Sequence, residues 1–283
     1  MIRRCAIFIF LALSIVPGLA QQREKAVDYL PDEHYFDPLF LDPVECQSYG
    51  SLNAFWEGST RQDLIYAPLA LGFQLPVVQW DKGDYGFEIG FMATIFFQFE
   101  FVQPSSLFQV NLINTDIRAG LPFVFRMKRF SLRTAIVHQS SHFSEEYIFR
   151  NEIETFQENL NTYDAVDIHA SWQFSKMRYY GGVEMAFNSP HDRGFWKFQA
   201  GTIFRTPVRI GSSFNFIVGA DFQILEETRW SLNSMFGAGI EIAYRETRTF
   251  QVLAQYFTGN IPYTQYSHLK VQWLGATLIG HPF

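Results

Sequence analysis

Along most of the chain after residue 46, apolar and polar residues alternate with a period of two. In the run from Val166 to Phe174, Val166, Ile168, Ala170, Trp172 and Phe174 are apolar, and Asp167, His169, Ser171 and Gln173 stand between them. Phe214, Phe216, Val218, Ala220 and Phe222 oppose Ser213, Asn215, Gly219 and Asp221, while Phe250, Val252, Ala254 and Tyr256 oppose Gln251 and Gln255. Between Ile113 and Phe125 the odd positions Ile113, Ile117, Leu121, Phe123 and Phe125 are apolar, with Asn114, Asp116, Arg118 and Arg126 on the even ones. Successive side chains of a strand point to opposite faces, so the pattern predicts strands with one apolar and one polar face. Charged residues on the second face would be costly in a dry sandwich core, whereas a polar lumen accommodates them.

Turn signals divide this region into about twelve strands, at 47–58, 65–79, 84–101, 107–127, 130–141, 162–174, 178–188, 195–206, 210–223, 232–245, 248–258 and 267–281. Their connections alternate in kind. Residues 81–84 (DKGD), 128–129 (KR), 175–177 (SKM), 206–208 (TPV) and 246–247 (ET) are tight turns, whereas VQPSS, NSPHDRG, LEETRW and above all 142–161 are longer. An all-β, transmembrane antiparallel β-barrel of about twelve strands has this asymmetry, with short periplasmic turns and longer extracellular loops. An even strand count places both ends of the barrel in the periplasm. Residues 21–46 do not alternate and carry Pro31, Pro38 and Pro43. They are expected to form a non-barrel segment, either periplasmic or tucked into the lumen.

Composition agrees with a membrane-facing surface. The chain holds 31 Phe, 13 Tyr and 6 Trp, 18% aromatic against 18% charged, more aromatic than a soluble domain of this size usually is. Its N-terminus, MIRRCAIFIFLALSIVPGLA, joins Arg3 and Arg4 to an apolar run from Cys5 to Val16 and a small-residue site at Ala20. This is the pattern of a secretory signal peptide over residues 1–20, too short and too early broken by Pro17-Gly18 for a transmembrane anchor. Without it, Cys46 is the sole cysteine and an intramolecular disulfide is excluded. Loss of Arg3 and Arg4 takes the formal charge from −6 to −8, which argues against nucleic acid as a partner. The expected partners are outer-membrane lipids, the barrel assembly machinery through the terminal aromatic Phe283, and a second copy of the chain as a candidate.

Candidate chemistry concentrates in RTAIVHQSSHFSEEY, residues 133–147. On the strand 130–141, Phe130, Leu132, Thr134 and Ile136 share a parity with His138 and Ser140, so these last two are expected to face lipid near the outer leaflet. Polar groups there cost free energy unless paired or used. His-x-Ser on one strand face sets an imidazole beside a hydroxyl, and the imidazole can take the serine proton as it attacks an ester carbonyl. A third group is needed to orient the histidine.

These residues resemble the H-x-S-N-G stretch of outer-membrane phospholipase A, a twelve-stranded barrel with an orienting Asn fourteen residues after its His. Lipid A deacylases of the PagL type look similar, with His, Ser and then Glu. The resemblance implies His138 as base, Ser140 as nucleophile and Glu152, or a loop acid, as orienter. This chain departs from the phospholipase pattern at Ser141 and His142. Glu145 and Glu146 are candidate ligands for Ca²⁺, a cation that takes oxygen donors and that the resemblance to the phospholipase implies. DPLFLDPVECQSYGS taken with HQSSHFSEEYIFRNE also resembles a family of Gram-negative secreted proteins known only as a domain of unknown function, over nearly the whole mature length.

Two functions follow. One is a lipid ester hydrolase in the outer leaflet. The other is a non-enzymatic barrel, a small-solute channel or envelope scaffold, in which Asp116, Arg118, Arg133, Asp167 and His169, with Arg126, Glu184, Asp221 and Glu241, form a lumen network. At about twelve strands such a lumen is too narrow for an open porin. A transition-metal site from His138, His142 and Glu145 or Glu146 fits poorly, since His-x-x-x-His suits a helix better than a strand.

Overall fold

The computed structural model describes residues 26–102, 109–150, 162–188, 194–207, 214–243, 249–263 and 268–281. Among them are thirteen strands: β1 (Ala26–Tyr29), β2 (Ser48–Glu57), β3 (Thr60–Asp81), β4 (Tyr85–Val102), β5 (Gln109–Met127), β6 (Phe130–Phe143), β7 (Tyr163–Phe174), β8 (Met177–Phe187), β9 (Trp196–Pro207), β10 (Phe214–Leu225), β11 (Leu232–Ala243), β12 (Thr249–Asn260) and β13 (Lys270–His281). A short helix, α1 (Glu145–Arg150), follows β6. Strands β2 to β13 pair antiparallel in chain order, and β13 pairs back onto β2 to close a barrel. β1 is an extra strand lying on the short-turn end of β3, with Ala26 opposite Asp81.

Tight turns set the register at the short-turn end. Met127 pairs Phe130 and Phe174 pairs Met177, and Lys128 and Ser175 take the positive φ (55° and 54°) that such two-residue hairpins demand. Two features differ from the sequence pattern. β2 and β3 run on to a second kind of tight turn, at the loop end, where Glu57 pairs Thr60 around Gly58 at φ 58°. The polar STRQD stretch reads as a loop, yet from Thr60 on it continues β3, with Thr60 and Arg61 paired to Glu57 and Trp56. A bulge at Gln98/Phe99 lets Ile113 slip out of the ladder, so Asn111 and Asn114 are both buried and Ile113 packs against the interior cluster instead of sharing the outward face of Ile117.

The outward face is apolar. Ile117, Leu121, Phe123, Ile136, Val252, Leu274 and Leu278 are all exposed there. Aromatic contacts gather near both rims, Phe87 against Phe125 (5.2 Å) and Phe130 against Trp172 (6.2 Å) at the short-turn end, Phe195 against Trp196 (4.7 Å) and Phe198 against Trp230 (6.0 Å) at the loop end. Two aromatic girdles around an apolar band are what a barrel in a bilayer presents.

The segment between β1 and β2 enters the lumen. Tyr35, Phe36, Leu39, Phe40, Leu41 and Val44 are buried there with Tyr49, Phe96, Tyr180, Ile217 and Trp273 from the wall. Two paired glycines make room for it. Gly219 lies opposite Gly237, and a Cβ on the first would meet the Phe40 ring at 2.7 Å, on the second the Leu41 side chain at 2.8 Å. The polar side of the segment is tied to the wall as well. Arg133 donates from Nη1 to Glu45 Oε1 (2.9 Å) and from Nη2 to Oε2 (3.1 Å), Gln74 donates to Glu45 (2.6 Å), and Arg178 donates to the carbonyls of Pro38 (2.7 Å) and Asp37 (2.6 Å). Two voids of about 20 Å³ remain beside it, one lined by Leu41, Tyr49 and Met235, the other by Arg118, Glu184 and Lys197, each with room for about one water.

Candidate active site on the barrel wall

Alternation along β6 places Arg133, Ala135, Val137, Gln139 and Ser141 inside and leaves Ile136, His138, Ser140 and His142 on the outer face. Eight residues separate His138 from Phe130 at the short-turn end. At about 3.3 Å per residue and a tilt near 40°, His138 stands about 20 Å above Phe130 along the barrel axis, toward the loop end.

His138 has a carboxylate partner on the neighbouring strand. It pairs directly across from Asp164 at the start of β7, and its Nδ1 lies 2.8 Å from Asp164 Oδ1. An ionised carboxylate only accepts, so Nδ1 donates in this contact, and in a neutral imidazole Nε2 then keeps its lone pair. The other oxygen, Asp164 Oδ2, accepts from Asn188 Nδ2 at 2.8 Å. His138 and Asp164 keep 55% and 30% side-chain exposure, so this chain of contacts is open to whatever surrounds the barrel. Ser140 follows His138 on the same face, about 6.6 Å along the strand. Among the described residues its hydroxyl has no hydrogen-bond partner.

The remaining expected site residues fall in two places. Glu152 lies outside the described residues. Glu145 and Glu146 open α1, where Glu146 reaches Arg150 at 3.8 Å. Calcium takes six to eight oxygens; among the described residues no group of three His, Cys, Asp or Glu comes together. Ser141, where the phospholipase pattern has Asn, turns inward and donates to Asp116, so it is not placed to meet an oxyanion on the outer face.

Inside, Asp116, Arg118, Arg133, Asp167 and His169 are all buried. Arg118 bonds Glu184 at 2.7 Å and Gln139 at 2.9 Å, and Asp167 lies between Arg118 (3.6 Å), Arg133 (3.5 Å) and His169 (2.8 Å). Asp116 accepts from Asn114 at 2.7 Å. Arg126 is set apart near the short-turn rim, 3.5 Å from Asp81 and stacked over Tyr35.

A family model described as a protein of unknown function, DUF1207, matches residues 17–281. The chain belongs to this family. The DUF1207 chain is similar in fold to outer membrane phospholipase A from Escherichia coli, with a TM-score of 0.54 and 10% identity over 84% of this chain and 91% of that one. It is also similar to a Salmonella typhi outer membrane phospholipase dimer with bound calcium, with a TM-score of 0.53 and 11% identity over 87% of this chain and 96% of that one. No curated protein matches this chain. At such identities the likeness is one of fold: this chain forms an outer-membrane-type barrel.

Asp164 and Asn188 were not singled out by the sequence pattern. One signal for the first was present, because Asp164 shares the parity of Val166 and Ile168 and is an acid on an otherwise apolar face.

Proposed function

We propose that this barrel sits in the outer membrane and hydrolyses acyl esters of lipids in the outer leaflet, with Ser140 as nucleophile, His138 as base and Asp164 as the group that orients His138. The observation that carries the reading is the outward-facing contact of His138 Nδ1 with Asp164 Oδ1 at 2.8 Å, with Ser140 on the same face. Ser140 Oγ attacks the acyl carbonyl as its proton passes to His138 Nε2, and the imidazolium so formed rests on Asp164. That proton then goes to the leaving alcohol. Water repeats the sequence on the acyl-serine and frees the fatty acid. With His138 held by Asp164, it is the Ser140 side chain that turns to close the separation on substrate binding, as catalytic hydrogen bonds often tighten only in the complex.

The test is fatty-acid release from phospholipid and from lipopolysaccharide by the refolded barrel, with and without Ca²⁺. Wild type should turn over at least one lipid and Ser140→Ala should lose that activity while keeping its fold, since a small side chain near a strand end carries little packing. Absence of turnover by a folded wild-type barrel under all four conditions would overturn the proposal. A second reading, a non-enzymatic channel or scaffold, is favoured by the lumen segment and the buried network of Arg118, Arg133, Asp167 and His169. In that reading His138 and Asp164 brace the wall near its outer rim.

A further inference from the structure

We propose that Asn188 is a positioning residue for the hydrolase read above, clamping the Asp164 carboxylate so that Oδ1 alone is presented to His138. The assignment rests on that reading for its kinetic consequence and on geometry for its structural one. A carboxylate on an exposed wall turns freely about its terminal torsion, which is broad and two-fold. His138 holds one of its oxygens and Asn188 the other, each at 2.8 Å, and two contacts on opposite oxygens fix the plane of the group.

The backbone is shaped for this contact. Asp164 pairs across to Phe187, the last residue of β8, and Asn188 comes next. Had β8 continued, Asn188 would share the inward parity of Glu184 and Ala186. It adopts φ 52° instead, which ends the alternation and turns its amide back to the outer face. Left-handed φ is tolerated by asparagine far better than by most residues. Three adjacent strands thus contribute in turn: His138 and Ser140 from β6, Asp164 from β7, and Asn188 from the end of β8.

Two substitutions isolate the contact. Asn188→Asp keeps the size and the tolerance for positive φ and removes the donor, and Asn188→Gly keeps the backbone and removes the side chain. Each should lower kcat about tenfold with KM unchanged, the scale of one lost hydrogen bond to a charged group. An independent readout is the ring nitrogen spectrum of ¹⁵N-histidine-labelled full-length mature barrel, with the His138 signal identified by its loss in His138→Gln. Wild type should show His138 protonated at Nδ1, and both variants should shift or broaden that signal toward a mixture of tautomers. A His138 signal unchanged in both variants overturns the assignment, whatever the kinetics. Failure of wild type to hydrolyse any lipid counts against the hydrolase alone, and the spectrum still decides for Asn188.

Discussion

Replacing Arg133 with Gln tests what holds the lumen segment in place. Arg133 makes the bidentate pair with Glu45, lies 4.9 Å from the Phe36 ring, and approaches Asp167 at 3.5 Å. Without it, Glu45 stays buried with Gln74 as its remaining side-chain donor. Breaking a buried pair by removing one partner costs about 3–5 kcal/mol, and the lower end applies because Gln74 still donates to Glu45, while Arg118 and His169 still face Asp167. About 3 kcal/mol corresponds to an opening equilibrium raised about a hundredfold.

Cys46, next to Glu45, reports that opening. It is buried, and burial followed by the neighbouring Glu45 carboxylate pushes its thiol up to about 12. At pH 8 the docked thiol is therefore both covered and protonated, and alkylation proceeds through undocking. Alkylation of Cys46 in the barrel without residues 1–20, and so without Cys5, should accelerate about a hundredfold in Arg133→Gln, while the unheated protein still migrates as a folded barrel on a denaturing gel. The direct effect of the lost charge runs the other way, because Arg133 lowers the Cys46 value and its removal would slow any reaction of the docked thiol. A labelling rate within about twofold of wild type, with the barrel intact, would refute the view that this ion pair anchors the segment.

Two further outcomes are expected. Asp164→Asn should leave the barrel folded and lower kcat for fatty-acid release about a hundredfold, since an amide can hold His138 in the wrong tautomer; activity within about twofold of wild type would remove Asp164 from the mechanism. Gly237→Val should displace Leu41, whose side chain lies 2.8 Å from where the new Cβ would stand, and destabilise docking by about 1–3 kcal/mol, read as faster Cys46 alkylation and a lower Tm.

Period-two patterning made the strands legible because a barrel strand meets lipid on one face and a polar lumen on the other. The outward placement of His138 and Ser140 followed from the same parity, since no bulge interrupts β6 between Phe130 and Ser140. Ile113 shows the limit of that logic, as the bulge at Gln98/Phe99 changed its face. Where a two-residue turn joins two strands, as at 128–129 or 175–176, the turn fixes the register and the cross-strand pairs can be counted from the sequence. No such turn joins β6 to β7. Residues 144–162 intervene, so the pairing of His138 with Asp164 was invisible even though Asp164 stood out on its apolar face.

The alternating pattern by itself determined a closed antiparallel barrel and the face each β6 side chain takes, because strand parity is a local property of the backbone. Tertiary structure alone decided where residues 30–47 go and which acid meets His138. The first depends on a glycine pair on β10 and β11 and on Arg133 meeting Glu45 across 88 residues of chain. The second depends on how barrel closure sets the stagger of two strands that no tight turn connects, a quantity fixed by the packing of the whole wall.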